Sequence, residues 1–600
     1  MFRRIGMERF TKRPIAIFAA FAAAMAVLLL CLWRPSGGAE QVVIYSARHV
    51  LTMDEKKRVE AVAVRGGLIV ATGSLDALRA AHPDAELDLT FQDLVIAPGF
   101  IDPHVHMLLS AVQYALPTTP PWPMVTGAGE IAALSSRDAF LERLEEIARE
   151  AYGSKPLIVY GYHDLVHGEI DRHDLDAITD ERPLIVWHYS SHDFYLNSAA
   201  LDWAKIDASL HEQFEGVAIG SDGEPTGRVF EDAIPYLNER LGPVLLNPIR
   251  VRGGFNSFSD LLRRGGVTTV ADLGYGIFGL TLEDINLRLN WRSPQHSGYR
   301  VYMVPEHRGF ERAFGDKRVE TILKMAEGTR RTPAPVLPQV KFFVDAAFYS
   351  QTMRLSPPGY LSGQSKGSEG LWVTQPSDIA STIEPYWRAG LGVRIHSNGD
   401  RAQTATLQAL ESLRADQSRN RFVIEHAGLM SPEHVRRSAE LGASVSAASH
   451  YVHYLGRLYQ DPLGPERGGW IEPLRSLSAA GVRVTLHSDA PLAPPLPLLA
   501  ASVHMTRSTR EGSVLTPNEK LSANEALEAI TIDAAHALGL EDEIGSIEPG
   551  KRADFTILSR DPLATPGPFW PGIKVWGVVL GGQKRPLEQT LALSPTRAAG

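Results

Sequence analysis

The chain has 600 residues, 44% of them hydrophobic and 22% charged, which is enough apolar material for a large folded core and excludes a disordered body. A formal net charge of -9, with no basic cluster interleaved with aromatics, argues against a nucleic-acid partner. The single cysteine, Cys31, leaves the body no internal disulfide and no thiolate for metal or substrate.

At the amino terminus Arg3, Arg4, Arg9, Lys12 and Arg13 precede an uncharged apolar run over residues 15–33, and the small residues Ser36, Gly37, Gly38 and Ala39 follow. Residues 1–40 therefore read as an uncleaved signal anchor, with residues 15–33 in the membrane, or as a signal peptide cut after Ala39. Either way the body is expected outside the cytoplasm, anchored to the cytoplasmic membrane or, if cleaved, periplasmic or secreted. Short strand patterns follow over residues 41–45 and 61–64, with turns at Gly66-Gly67 and Gly73, so that 41–98 reads as one half of a small β-sandwich. Residues 553–558 and 574–580 supply the other half, within 541–600, ahead of a frayed tail.

Between these halves, residues 99–540 carry eight strand candidates, the number a closed parallel (β/α)8 TIM barrel requires. Five of them end in residues that bind metals: Ile101-Asp102-Pro103-His104-Val105-His106, Lys341 in Val-Lys-Phe-Phe, His396 after Val-Arg-Ile, His426 after Val-Ile-Glu, and Asp489 after Val-Thr-Leu-His-Ser. The other three are residues 267–270, 300–304 and 443–446. In such a barrel all strand C-termini open on one face, so scattered residues converge there. His104 and His106, two apart on an extended strand, point the same way. Four imidazoles, Lys341 and the Asp489 carboxylate make a ligand set for one or two divalent ions. A buried neutral lysine can take up carbon dioxide and bridge two cations as a carbamate; the alternative is an ordinary lysine paired with Asp345. Asp489 can serve as ligand and as proton shuttle, or form a simple turn before Pro491.

The interval between the first two strands is far longer than an ordinary connection, so an inserted subdomain over about residues 110–255 is expected to cap the site and choose the substrate. Within it His163, His167, His188, His192 and Asp193 are spaced too irregularly for a second metal centre and read better as substrate contacts or surface residues. His163, together with His450 and His453 after the seventh strand, is a candidate for substrate binding, and Trp122, Phe194 and Tyr195 for pocket walls.

Taken in order, APGFIDPHVH, LDAITDERPLIVW, LNSAAL, DGEPTGRVFEDA, GVTTVAD, VKFFVDAAF, HSNGDRA, IEHAGL, LRSLSAAGVRVTLHSDAPL and GSIEPGKRADFTIL resemble the amidohydrolase superfamily, within it amidohydrolase family 3, the YtcJ-like proteins. The resemblance spans about residues 41 to 562. It implies a TIM barrel flanked by a β-sandwich, one or two zinc ions at the barrel mouth, and His104, His106, Lys341, His396, His426 and Asp489 in the ligand positions; the buried setting of Lys341 adds the expectation that it is carbamylated. It also implies hydrolysis of carbon–nitrogen bonds other than peptide bonds, as in N-substituted formamide deformylase, on a small amide-like substrate through metal-activated hydroxide. Lactone or ester hydrolysis on the same site, and a non-catalytic regulator that kept the fold, are the rival readings. Nothing marks an oligomer interface, although a homo-oligomer is compatible with a barrel scaffold. Three stretches depart from the family pattern: Ser397 follows the third histidine where alanine is common, His487 stands where glycine is usual, and Gly161-Tyr162-His163-Asp164 replaces Gly-Trp-Asp.

Overall fold

The structure, a computed structural model, describes residues 41–587 apart from residues 56 and 292. The apolar run at 15–33 lies outside the described residues, among which no helix is long and apolar enough to cross a membrane.

Eight parallel strands form the centre: β1 (Phe100–Val105), β2 (Val267–Tyr275), β3 (Arg300–Pro305), β4 (Gln339–Phe343), β5 (Gly392–Ser397), β6 (Phe422–His426), β7 (Ser444–Ala448) and β8 (Val484–His487). They pair in the runs β3-β2-β1 and β4-β5-β6-β7-β8. The parallel bridges Met303–Val336 and Glu306–Lys341 join β3 to β4. A bridge from Val105 to Ala490, just beyond β8, brings the last strand back to the first, so the ring closes. β2, β5, β6, β7 and β8 are buried at every position. That is why their sequences read as nearly continuous apolar runs and not as alternation: helices cover the outside and the barrel interior covers the inside. Between β5 and β6 the helix Asp400–Leu413 shows this directly, burying Gln403, Leu407 and Leu410 on one stripe.

The two chain ends do meet, but they form one seven-stranded mixed sheet and not the two packed sheets of a sandwich. The strand Glu86–Pro98 is long enough to serve both halves. It runs parallel to Val43–Leu51, and its last four residues pair antiparallel with Phe555–Leu558. One face of this sheet builds its own core from Tyr45, Val62, Val64, Phe91 and Phe555. The other is covered by the helix Leu75–Ala81, whose Leu78 packs on Ile44, Ala61 and Ala63.

Between β1 and β2 the chain builds a second sheet of five strands, in the order Val217–Ile219, Pro225–Phe230, Asp193–Leu196, Leu184–His188, Leu157–Tyr162. Its residues Ile158, Tyr160, Ile185 and Trp187 share one continuous core with Val105 and Met107 at the end of β1. This segment is therefore seated on the mouth of the barrel, where the strand ends open.

Candidate metal centre

His104 ends β1 and His106 follows it, Lys341 lies in β4, His396 in β5, His426 ends β6, and Asp489 stands two residues beyond β8; all six line one cavity. Several features of the local backbone place them. His426 and Asp489 both adopt left-handed conformations, with φ of 70° and 53°. Residues with a side chain take that conformation at a cost, so the surrounding fold holds strain where the ligand-bearing strands turn into loops. Gly274 in β2 leaves room for His106, because a Cβ there would lie 2.8 Å from its Nδ1.

His104 is the best anchored of the six. Its Nδ1–H donates to Glu425 Oε2 at 2.8 Å. The other Glu425 oxygen accepts from Arg394, whose remaining N–H groups reach the carbonyls of Pro103 and Ala537. Arg394, Glu425 and His104 are all fully buried. With the proton fixed at Nδ1, the His104 Nε2 lone pair is turned toward the cavity. That atom lies 3.4 Å from Asp489 Oδ1 and 3.5 Å from Lys341 Nζ, while His106 Nε2 lies 3.2 Å from the same Asp489 oxygen. Asp489 Oδ2 is 3.6 Å from His426 Nδ1, and the His396 and His426 rings are 4.5 Å apart.

Burial holds His104, His396 and His426 well below the ordinary imidazole value, so their rings are neutral and their lone pairs free to bind. Burial alone would raise the Asp489 carboxyl. The hydrogen bond from His106 and the charges of His106, His487 and Lys341 instead hold it at about 2. Burial pushes the Lys341 ammonium down to about 8 against the pull of Glu425 and Asp489. Lys341 does not pair with Asp345, whose carboxylate accepts the backbone N–H groups of Arg354, Asn398 and Gly399. A carboxylate oxygen and an imidazole lone pair facing each other at 3.4 Å repel unless a proton or a cation lies between them. The donor set thus fits a divalent cation. Two overlapping groups, His104 with His106 and Asp489, and His104 with His426 and His487, are each compact enough for an ion.

The three substrate-binding candidates fall elsewhere. His163 is fully buried beside Trp122, and its Nδ1 accepts from Leu165 N–H to cap the short helix Asp164–His167. His450 is buried against Ser449, and His453 donates to the Ser508 carbonyl. None of them lines the cavity. Trp122 and Phe194 likewise belong to the core. Within the inserted segment His163, His167 and His188 are not surface residues either; all three are buried. His163, Asp164 and His188 gather within reach of one ion. Their lone pairs, however, are engaged: His188 Nδ1 accepts from Ser190 N–H at 3.1 Å, and Asp164 accepts from His188 Nε2 and Gln351 Nε2. With Nδ1 accepting on both rings, each neutral imidazole carries its proton on Nε2, which leaves no lone pair there for a metal.

The cavity also contains residues that strand patterns do not reveal. Ser190, Ser191 and His192 descend on it from the inserted segment, and Phe348, Tyr349 and Tyr451 come from loops after β4 and β7. Ser191 has a φ of 67°, which turns the chain inward at this point. His192 donates through Nδ1 to Glu231 Oε2 at 3.1 Å, and that carboxylate raises the His192 pKa against the effect of burial. The signal for the aromatics was their position shortly past a barrel strand: Phe348 and Tyr349 follow the end of β4 by five and six residues, and Tyr451 follows the end of β7 by three.

The buried imidazoles have a consequence for acid stability. His163 and His450 are held at about 3, and His487 at about 4, by burial, while His104, His396 and His426 lie well below 6.5. The unfolded chain binds these protons near pH 6.5 and the folded chain does not. Stability is therefore complete above that pH and is lost as pH falls below it, by about 1.4 kcal/mol per pH unit for each histidine. The buried carboxyls of Asp102 and Asp345, raised to about 7, and of Glu283, raised to about 8, act in the opposite sense and offset part of this loss. Each histidine's share is read by substitution: metal-free His450→Gln is expected to lose less urea stability than the parent between about pH 6.5 and 4.5, and an equal loss in both would contradict a depressed His450.

A closed parallel barrel that gathers neutral imidazoles, a lysine and a carboxylate at its C-terminal mouth defines a metal-dependent hydrolase of the amidohydrolase type. Comparison with known proteins agrees. The model of the amidohydrolase family matches residues 91–584, and that of an imidazolonepropionase-like composite domain matches residues 61–85. The chain is 26% identical over 561 residues to YtcJ of Bacillus subtilis (strain 168), covering 90% of this chain and 98% of the relative. It is 28% identical over 533 residues to the N-substituted formamide deformylase of Arthrobacter pascens, covering 86% and 93%. The crystal structure of an uncharacterized metal-dependent hydrolase from Pyrococcus horikoshii OT3 superposes with a TM-score of 0.65 at 20% identity, covering 88% of this chain and 99% of that one. The chain belongs to amidohydrolase family 3, among the YtcJ-like proteins.

Proposed function

We propose that the protein hydrolyses carbon–nitrogen bonds other than peptide bonds, as an amidase, deacylase or deformylase, with one or two zinc ions at the barrel mouth. The observation that carries this reading is the convergence of His104, His106, His396, His426, Lys341 and Asp489 on one cavity. His104 and His106 would hold one ion and His396 and His426 the other. Asp489 would reach the first, and Lys341, as a carbamate, would lie between the two. Bound zinc polarises a carbonyl and lowers the pKa of water.

The protein's own groups supply the rest. Held at about 2, Asp489 is ionised throughout the working range and can take a proton from the attacking water. The water oxygen bonds to the carbonyl carbon, the carbon–nitrogen bond breaks, and Asp489 returns the proton to the leaving nitrogen. An acid and an amine are released. Leu109, Phe343, Phe348, Tyr349, Tyr451 and Leu492 form the apolar part of the wall, alongside the polar Ser190, Ser191 and His192, and favour an apolar or aromatic group on the substrate. The formamide deformylase among the relatives makes N-substituted formamides the first class to try. We further propose that the body works outside the cytoplasm, tethered through residues 15–33 or released by cleavage.

The test is release of amine from N-benzylformamide, related N-aryl formamides and N-acetyl amines by zinc-loaded protein. Turnover that a chelator abolishes and zinc restores is the expected result. Turnover confined to lactones or phosphoesters would overturn the reading.

A further inference from the structure

His487 ends β8 and is buried to 1% exposure, yet it does not line the cavity. It stands behind His426, which does. His487 Nε2 lies 3.2 Å from His426 Nδ1, and the two rings meet edge to face with centroids 5.1 Å apart. On its other side His487 Nδ1 lies 2.7 Å from Ser446 Oγ on β7. Three adjacent strands, β6, β7 and β8, thus present His426, Ser446 and His487 in one connected line.

A neutral imidazole that gives one lone pair to a cation keeps its proton on the other nitrogen, and in a buried site that proton needs an acceptor. For His426 the nearest acceptor at Nδ1 is His487 Nε2; the Asp489 carboxylate is farther, at 3.6 Å. If His426 Nδ1–H donates to His487 Nε2, the His487 proton sits on Nδ1 and donates to Ser446 Oγ, and both imidazole N–H groups have an acceptor. His426 then turns its Nε2 lone pair toward the cavity. We propose that His487 is a positioning residue: it fixes the tautomer and ring orientation of the metal ligand His426 and so sets metal affinity without touching the ion. The inference rests on the metal-centre reading above.

His487 also lies within reach of one ion together with His104 and His426, so direct ligation is the competing role. Its absence from the cavity wall, and the engagement of both its nitrogens by protein partners, favour the position behind the ligand.

The experiment is zinc affinity by competition with a chromophoric chelator, with saturating stoichiometry by elemental mass spectrometry, on the full chain and on His487→Ala, His487→Gln and Ser446→Ala. His487→Ala is expected to weaken zinc binding by about 10–100-fold with unchanged stoichiometry at saturation. His487→Gln keeps an acceptor for His426 Nδ1–H and should recover most of that loss. Ser446→Ala is expected to weaken binding a few-fold, and it carries the test should the buried alanine variant fail to fold. Affinity within about twofold of the parent in all three variants would overturn the proposal while leaving the metal centre intact. Loss of one zinc per chain at saturation, unrescued by glutamine, would also overturn it by making His487 a ligand. A parent protein that binds no zinc would instead overturn the metal-centre reading, and this inference with it.

Discussion

Replacing Lys341 with alanine is expected to lower bound zinc from about two ions per chain to one or none, and to cut kcat/KM by about 10³-fold or more. Lys341 occupies a fully buried strand position, and among the described residues it forms no ion pair within 4.0 Å. Its nearest partners are His104 Nε2 at 3.5 Å and the Phe343 ring, 5.1 Å from Nζ to the centroid. Those contacts are a poor return for burying an ammonium. A carbamate at the same place has two oxygens, each able to bind a cation, and its charge is then compensated. Elemental mass spectrometry on parent and variant measures the difference. An unchanged single ion would assign Lys341 to another role and make the site mononuclear.

The second large effect is expected at Asp489. Asp489→Asn keeps the size of the side chain and one oxygen but cannot accept a proton, so kcat is expected to fall by about 10³-fold with at least one zinc retained. The neighbourhood explains why this carboxylate and no other does the work. Burial raises Asp102 and Asp345 to about 7, and Asp272 is raised by burial as well. Only Asp489, among these acids of the barrel, is held down, by His106, His487 and Lys341 against its own burial. It therefore stays ionised at neutral pH, where Asp102 and Asp345 are about half protonated. Steady-state kinetics on a cleaved amide, alongside metal content, checks this. A kcat within tenfold of the parent would remove Asp489 from proton transfer.

The barrel strands were legible because each couples two local signals, a short β-branched or aliphatic run and a metal-binding residue or turn directly after it. Parallel pairing buries both faces, so those runs lack alternation, and their brevity and endings mark them as strands. The satellite sheet was harder. The strand Glu86–Pro98 is largely exposed in its first half and buried in its second, and its pairing with Phe555–Leu558 spans most of the chain. No local pattern distinguishes such a shared strand from two stacked halves.

The site divided in the same way. Ligands at strand ends could be named from sequence because the topology forces them together. Of the wall residues from the inserted segment the sequence points only to His192, as a substrate contact or a surface residue; Ser190 and Ser191 reach the cavity through a turn that depends on the fold of that segment. His163 misled for a related reason: a histidine before Asp164 looks like a polar loop residue, yet its Nδ1 serves as a helix cap inside the core. His487 was visible only as a departure from the family pattern, and its contact with His426 comes from the lateral pairing of β6, β7 and β8, which spacing along the chain does not show.

The central claim, that these six residues form a metal centre at the barrel mouth, is tested most directly by anomalous diffraction at the zinc absorption edge on crystals of zinc-loaded protein. The account predicts one peak among His104, His106 and Asp489, and a second beside His396 and His426, with Lys341 between them. Density for zinc at His163, Asp164 and His188 alone, or none within the barrel mouth, would contradict it.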